Sequence, residues 1–396
     1  GGAVARGEFL DVAAVHAEDE RTVTIQLDRP RVGFLASLAR VSILPAHVFG
    51  NEPLADHPAA RAPVGSGPLR FASWTPGRSI ELERDDGYRG APAHLERVVY
   101  RVVPDPRVAL DLFSAGELDL VPGAVGAPPD GGRVVSFPLD RFEALVYNTA
   151  SPPLGDARVR RAIGHLVDRG AIRRSLLGGL ADRIEHPFPP SRGVPPPRSG
   201  PLEFSPARAR RLLDAAGFVD ADGDGVRERG AVALEIDLLI PDASRDRARA
   251  AVVVQHDLAR AGVRAELRVL SYATFAARLR DHEFDAAFVA FDNQEPFDPL
   301  PVFHSSAADT GRNFGRLADP LLDDLLDAHR GTMLPAARRV MARNIADRLA
   351  AVHPMTFTFR PHRAVVARES LRGFAVVDGA LDERALWWAR PAGAAP

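Results

Sequence analysis

Between Ala233 and Phe291 the chain reads strand, helix, strand, helix, strand. The segments are Ala233 to Ile240, Arg247 to Ala261 stopped by Gly262, Val263 to Leu270, Tyr272 to Arg280, and Phe284 to Phe291. This alternation is the sequence form of an α/β unit, in which each helix carries the chain back across a sheet. The last strand, Phe-Asp-Ala-Ala-Phe-Val-Ala-Phe, is almost wholly apolar, as a strand must be when both faces of its sheet are covered. Ligands of open α/β sheets bind beyond the carboxyl ends of the strands, so the residues after Phe291 become a candidate rim.

Elsewhere the pattern is mixed. Val23, Ile25 and Leu27 alternate with Thr22, Thr24 and Gln26, the period of a half-buried, antiparallel strand. Short strands are expected at Ile80 to Glu83 and Val98 to Val102, and a helix from Pro106 to near Gly116. Asp156 caps a helix with Val159, Ile163, Leu166 and Val167 on one face, leaving Arg158, Arg161 and Arg169 to face water. Ser205-Pro206 opens another helix, which Gly217 stops, and Pro187 to Pro201 between them reads as an ordered surface loop or a crossover linker. Helices at Pro320 to His329 and Ala336 to Ala351 precede a strand at Met355 to Phe359.

At 396 residues, two or more lobes are expected. Lys+Arg 50 against Asp+Glu 52 gives a charge of −2, which argues against a general nucleic-acid binder. With Cys 0 there are no disulfides, thiolate metal sites or cysteine nucleophiles, and every basic residue is Arg, which removes Schiff-base and Walker-lysine chemistry. No apolar run approaches the ~20 residues that cross a bilayer. The local signatures GxSxG, HExxH, GxxxxGK[ST] and GxGxxG are all missing, which lowers the case for an enzyme. The chain starts Gly1-Gly2 without Met or leader, so a removed signal or a missing N-terminus is expected.

Two clusters carry candidate chemistry. Asp220, Asp222 and Asp224 stand at positions 1, 3 and 5 of an EF-hand-like loop with Gly225 at 6, a candidate structural Ca²⁺ site. Position 12 is Ala231 rather than the bidentate Glu, and the same residues also make an Asp/Gly turn. In the second cluster, Asp292, Asn293 and Gln294 follow the apolar strand, ahead of Glu295-Pro296. Asn 5 and Gln 3, counted along the whole chain, make that concentration of amides unusual. It reads either as a solvated turn or as an acidic anchor for a ligand cation, oriented by its neighbours.

Further blocks establish a resemblance. Pro63-Val64-Gly65-Ser66-Gly67-Pro68-Leu69-Arg70-Phe71 with Trp74 and Gly77, then Tyr88-Arg89-Gly90, Tyr100-Arg101, and Gly116-Glu117-Leu118-Asp119 occur in order. Asn148-Thr149, Pro153-Leu154, Asp156, Val159-Arg160-Arg161-Ala162-Ile163, Asp168-Arg169, Leu212-Leu213-Ala216-Gly217-Phe218, Phe284-Asp285 and Asn313-Phe314 continue the series. Over nearly its whole length the chain resembles the peptide- and nickel-type extracytoplasmic solute-binding proteins of ABC transporters.

The resemblance implies an α/β, two-lobed periplasmic-binding-protein-like fold with mixed sheets and interlobe crossover strands, closing on a solute by hinge motion. Residues 1–62 are then a remnant of an N-terminal subdomain of a truncated chain, 63–149 plus 363–396 an incomplete first lobe, and 150–362 the second lobe. It implies no catalysis and no cofactor. The ligand is a small peptide or related amine-bearing solute passed to an ABC permease by a periplasmic or membrane-anchored monomer. Asp292 falls where peptide-binding members pair with the ligand's ammonium group, and Asn293, Gln294, Asn313, Asn148, Gly65, Ser66 and Gly67 fall where members line or flank the cleft. With aromatics at 7%, a Trp-rich sugar cleft is disfavoured. The alternative is the ligand-sensing part of a transcription regulator behind a helix-turn-helix domain.

Overall fold

A computed structural model describes residues 9, 11–28, 30–39, 41–50, 57–123, 127–293, 297–377 and 380–388. The chain divides into two compact units, Gly1–Leu38 with Asp140–Pro361, and Ala39–Leu139 with His362–Pro396.

The larger unit begins with an antiparallel hairpin, β1 (Val12–Ala17) and β2 (Val23–Leu27). The smaller unit follows with an antiparallel three-stranded sheet of β3 (Leu69–Thr75), β4 (Ser79–Arg84) and β5 (Arg97–Arg101). Helix α1 (Pro106–Ser114) is capped by the Asp105 carboxylate, and its buried Ala109 and Phe113 pack on Val121 and Val366. The strands β6 (Leu120–Pro122) and β7 (Gly132–Pro138) complete the first pass through this unit.

The rest of the larger unit is built on β8 (Arg141–Tyr147), α2 (Ala157–His165), β9 (Ala181–Arg183) and α3 (Pro206–Ala215). The expected alternation follows as β10 (Glu235–Pro241), α4 (Arg245–Ala259), β11 (Arg264–Leu270), α5 (Tyr272–Arg280) and β12 (Ala286–Asp292). Helices α6 (Pro320–Gly331) and α7 (Pro335–Val352) lead into β13 (Met355–Arg368). Strand order is β11-β10-β12-β8-β13, with β10 parallel to β11 and β12, and β8 antiparallel to both of its neighbours. The expected strand at Met355 to Phe359 is thus the first part of a longer one. Through Pro361 it pairs with β8 and β9, and from His362 onward it pairs with β7 and β6 in the smaller unit.

The apolar run of β12 is buried on both faces. Ala286 and Phe288 join Leu238, Ile240, Leu145 and residues of α2, α3 and α4 in one core layer. Ala287, Val289 and Phe291 join Leu239, Phe142 and residues of α5, α6 and α7 in the other. Period-two alternation along each strand feeds both layers, so one sheet organises the whole unit.

Two elements depart from expectation. The segment 187–201 is only partly a surface loop: Phe188 and Val194 are buried in the second layer, while Ser191, Gly193 and Arg198 are exposed. Arg169, expected to face water, is 3% exposed. Its guanidinium donates to the carbonyls of Ile184, Phe357 and Leu202 and pairs with Glu185, so main-chain oxygens replace solvent. Arg160, one turn inside α2, is buried in the same way: Nε donates to His353 O at 2.9 Å, Nη1 to Leu154 O at 2.8 Å and Gly155 O at 3.0 Å, and Nη2 to Val352 O.

Gly315 is required by close approach. A Cβ there would press inside contact distance on the Tyr147 carbonyl oxygen, at the end of β8, where Thr149 also binds the Gly315 carbonyl. Gly315→Ala must push backbone against backbone and is expected to cost about 1–3 kcal/mol, as overpacking does. The urea midpoint should fall with the slope unchanged; an unchanged midpoint would show that the contact is slack.

Candidate functional site

The register of β12 against β8 places Asp292 opposite Arg141 and Ala290 opposite Glu143, at the carboxyl end of β12. Alternation turns Phe291 and Phe142 into the core, where their rings stack at 5.0 Å, and turns Asp292, Arg141 and Glu143 to the other face. Arg141 Nη2 lies 3.4 Å from Asp292 Oδ1, and the two side chains are 43% and 60% exposed. Arg247, in the first turn of α4, donates from Nη2 to Glu143 Oε1 at 2.8 Å, and this pair is only 16% and 22% exposed. The Ser244 hydroxyl caps α4 by accepting the Arg247 N–H.

Four charges of alternating sign therefore line one edge, as two pairs of different character. Glu143–Arg247 is short, sheltered and fixed at both ends. Arg141–Asp292 is long for a hydrogen bond and open to water, a pair of the kind worth about 0–1 kcal/mol. A solute can exchange with the second pair at little cost.

The other expected site residues are placed differently. Asn293 is 0% exposed; its N–H donates to Asp140 O and its Nδ2 to Pro187 O, so it fastens the end of β12 rather than facing outward. Gln294 lies outside the described residues. Asn148 spends Nδ2 on the carbonyls of His282 and Phe284 and accepts Ala150 N–H through Oδ1. Asn313 gives Nδ2 to the carbonyls of His304 and Leu317 and accepts Leu317 N–H. Both amides are consumed as backbone staples, which leaves them no free donor for a ligand. Gly65, Ser66 and Gly67 belong to the smaller unit, just before β3, with Gly65 and Ser66 exposed, and a Cβ on either glycine would meet only a backbone atom at 4.0 Å, an ordinary contact.

An open depression of about 470 Å³ lies at the opposite end of β12, lined by Asn148, Ser151, Asp237, Arg278, Asp285 and Arg316 among others. Much of its polar lining is already paired internally. Ser151 donates to Asp285, Asp285 accepts Asp237 N–H, and Asp237 pairs with Arg268. The Asp292 edge is the stronger candidate, because its charges are the exchangeable ones.

Asp220, Asp222 and Asp224 do converge, each offering an oxygen within 4.8 Å of the others, and all three are exposed. Their carboxylates accept the loop's own amides at Gly223, Asp224, Gly225 and Val226, the bonding of an Asp/Gly turn. Oxygen donors so placed suit a hard cation, although Ala231 supplies no side-chain ligand at position 12.

Sequence reasoning passed over Arg141, Glu143 and Arg247. The one available signal was the alternation Arg141-Phe142-Glu143, which puts two charges on one face of a strand otherwise made of Phe, Ala, Leu, Val and Tyr.

Comparison with known proteins places these features in context. Residues 2–314 match the model of bacterial extracellular solute-binding proteins, family 5 middle. The chain is 26% identical over 351 residues to the oligopeptide-binding protein AppA of Bacillus subtilis, covering 85% of this chain and 65% of that one. It is 27% identical over 333 residues to the probable di/tripeptide-binding protein 5 of Pseudomonas aeruginosa, covering 80% and 60% respectively. The chain thus spans less than two thirds of the length of either relative. NikA from Brucella suis, solved in complex with Fe(III)-EDTA, superposes with a TM-score of 0.83 at 25% identity, covering 96% of this chain and 80% of that one.

Proposed function

The chain belongs to the bacterial extracellular solute-binding proteins of family 5, and from that premise we propose that it is an extracytoplasmic receptor that binds a peptide or related amine-bearing solute and delivers it to an ABC permease. Its fold class, α/β with mixed sheets, is that of periplasmic binding proteins. The relatives named for oligopeptides and di/tripeptides support the ligand class. Binding without turnover, and operation with no resident cofactor, are part of the same reading. We assign the first lobe to 63–149 plus 363–396 and the second to 150–362; the contact-defined units differ in giving β8 to the larger unit.

The observation that carries the reading is Asp292, a solvent-open carboxylate at the carboxyl end of a strand whose preceding residues are buried. A ligand ammonium there gains a charge-assisted hydrogen bond of roughly 1.5–3 kcal/mol. Asp292→Ala is therefore expected to weaken peptide binding about ten- to a hundredfold by calorimetric titration. Full affinity in the variant would remove Asp292 from the site. The ligand class is tested by thermal shift with di- to pentapeptides, amino acids and oligosaccharides, since a ligand at a hundred times its Kd adds about 2.7 kcal/mol. Stabilisation by sugars alone would overturn the peptide assignment.

A further inference from the structure

We propose that a cavity beside the start of β13 binds inorganic phosphate, with Arg161 and Arg208 donating to its oxygens and His165 accepting its P–OH. The cavity lies within the larger unit, and nothing in the receptor reading depends on it.

Its volume is about 70 Å³, between α2, the first turn of α3, the end of α7 and the loop at 197–202. One water needs ~10–15 Å³ of such space, so a tetrahedral oxyanion has room. Met355, on its wall, pairs with Val146 near the end of β8. Arg141 and Asp292 face each other at the other end of that strand.

Three guanidiniums, those of Arg161, Arg169 and Arg208, line the cavity against one carboxylate, Glu185, among the described residues. Glu185 is already spent, because it pairs with Arg169 and Arg183 and accepts the Leu202 N–H. Arg169 is spent too, on the carbonyls of Ile184, Phe357 and Leu202. The neighbouring Glu203 is held by Arg183. Arg161 and Arg208 differ: neither guanidinium has a hydrogen-bond or ion-pair partner among the described residues. Arg208 also stands in the first turn of α3, where no acidic residue offsets it and the helix dipole is positive. Unpaired cations around one cavity repel each other, and an anion relieves that repulsion.

His165 decides which anion fits. It is 5% exposed and lines the cavity one helical turn after Arg161. Its Nδ1–H donates to the Glu203 carbonyl at 2.6 Å, which fixes the tautomer and leaves a lone pair on Nε2. Nε2 has no hydrogen-bond partner among the described residues. Burial, and then the charges of Arg161, Arg208 and Arg169, hold the imidazole below its ordinary pKa, so near neutral pH the ring stays an acceptor. Phosphate at that pH still carries a P–OH for Nε2, while its other oxygens accept from the two arginines. Sulfate carries no such hydrogen and would set an oxygen against the lone pair, a mismatch that a buried polar site rejects.

The test is calorimetric titration of the whole chain with phosphate and with sulfate, in a chloride buffer near neutral pH. Phosphate is expected to bind saturably, and at least about tenfold more tightly than sulfate. Arg161→Gln and Arg208→Gln should each weaken phosphate about ten- to a hundredfold, and Arg161→Lys should retain part of the affinity. Neither arginine has a partner to lose, so ligand-free melting temperatures that hold or rise will show that the variants fold. Sulfate binding as tightly as phosphate overturns the assignment. Unchanged phosphate affinity in the Arg161→Gln, Arg208→Gln double variant shows an adventitious ion only, and overturns the site. Absence of saturable heat at millimolar phosphate overturns the proposal outright. The peptide titrations read the Asp292 edge, so failure there and failure here are separate results.

Discussion

Arg160→Met should lower the unfolding free energy by about 4 kcal/mol, the largest single effect expected in this chain. The guanidinium is buried at 4% exposure and donates to the carbonyls of Leu154, Gly155, Val352 and His353. Val352 and His353 end α7, where backbone oxygens have no partner within the helix and the helix dipole is negative. Methionine fills much of the volume but leaves these acceptors dry and unbonded. At about 2–4 °C per kcal/mol for a unit of this size, the melting temperature should drop by about 10 °C. Arg160→Lys should recover only part, because three donors on a flexible stem cannot reproduce the planar fork. A methionine variant within about 1 kcal/mol of the parent would show that the carbonyls find other partners.

The second large effect is acid destabilisation through His353. This residue caps α7 in the left-handed region, at φ 48°, with its ring stacked 6.0 Å from Tyr147 and its Nε2 3.2 Å from Thr356 Oγ1. Burial, reinforced by the positive charges of Arg160, Arg161 and Arg169, pushes its pKa down from 6.5 to about 3. Above pH 6.5 the imidazole is neutral in both folded and unfolded chains. Between pH 6.5 and 3 the unfolded chain takes up a proton that the folded chain refuses, so stability falls as pH falls through that window. At 1.36 kcal/mol per unit the loss reaches about 3 kcal/mol by pH 4. His353→Asn keeps a residue tolerant of the left-handed conformation and removes the titration. The variant should be less stable at neutral pH, and its stability should fall less steeply than the parent's between pH 7 and pH 4. Burial also lowers the pKa of His165 and of His186, but both remain in the variant, so the difference between the curves isolates His353. Parallel curves would exclude it as the acid-sensitive group.

Much of the fold was legible because it depends on local periodicity. The apolar run of β12, the caps at Asp156 and Ser205, and the alternation from β10 to β12 each announce themselves within a few residues. The site was legible only in part. Asp292 stood out at the end of a strand, but its partner Arg141 is 151 positions away, and Glu143 and Arg247 are 104 apart. Those pairings follow from strand register and helix packing, which no short window contains. Asn148 and Asn313 were singled out by the family resemblance, which places them along the cleft, yet each is a buried amide that must be satisfied and what satisfies it is backbone. Arg169 was misplaced for the same reason: a main-chain carbonyl is present at every residue and leaves no mark in the sequence that it will hold an arginine.

The arginine clamps also bear on how the protein can be altered and repaired. An ion pair such as Glu143–Arg247 has two side chains, so a charge swap can in principle restore what a single reversal breaks. Arg160 has no such counterpart, because its four acceptors belong to the main chain and cannot be exchanged by substitution. Second-site suppressors of an Arg160 defect should therefore arise as general stabilisers scattered through the larger unit rather than as compensating charges beside α7. Around the clamp, the side chains of Leu154, Val352 and His353 can drift without weakening it, provided the backbone holds its course.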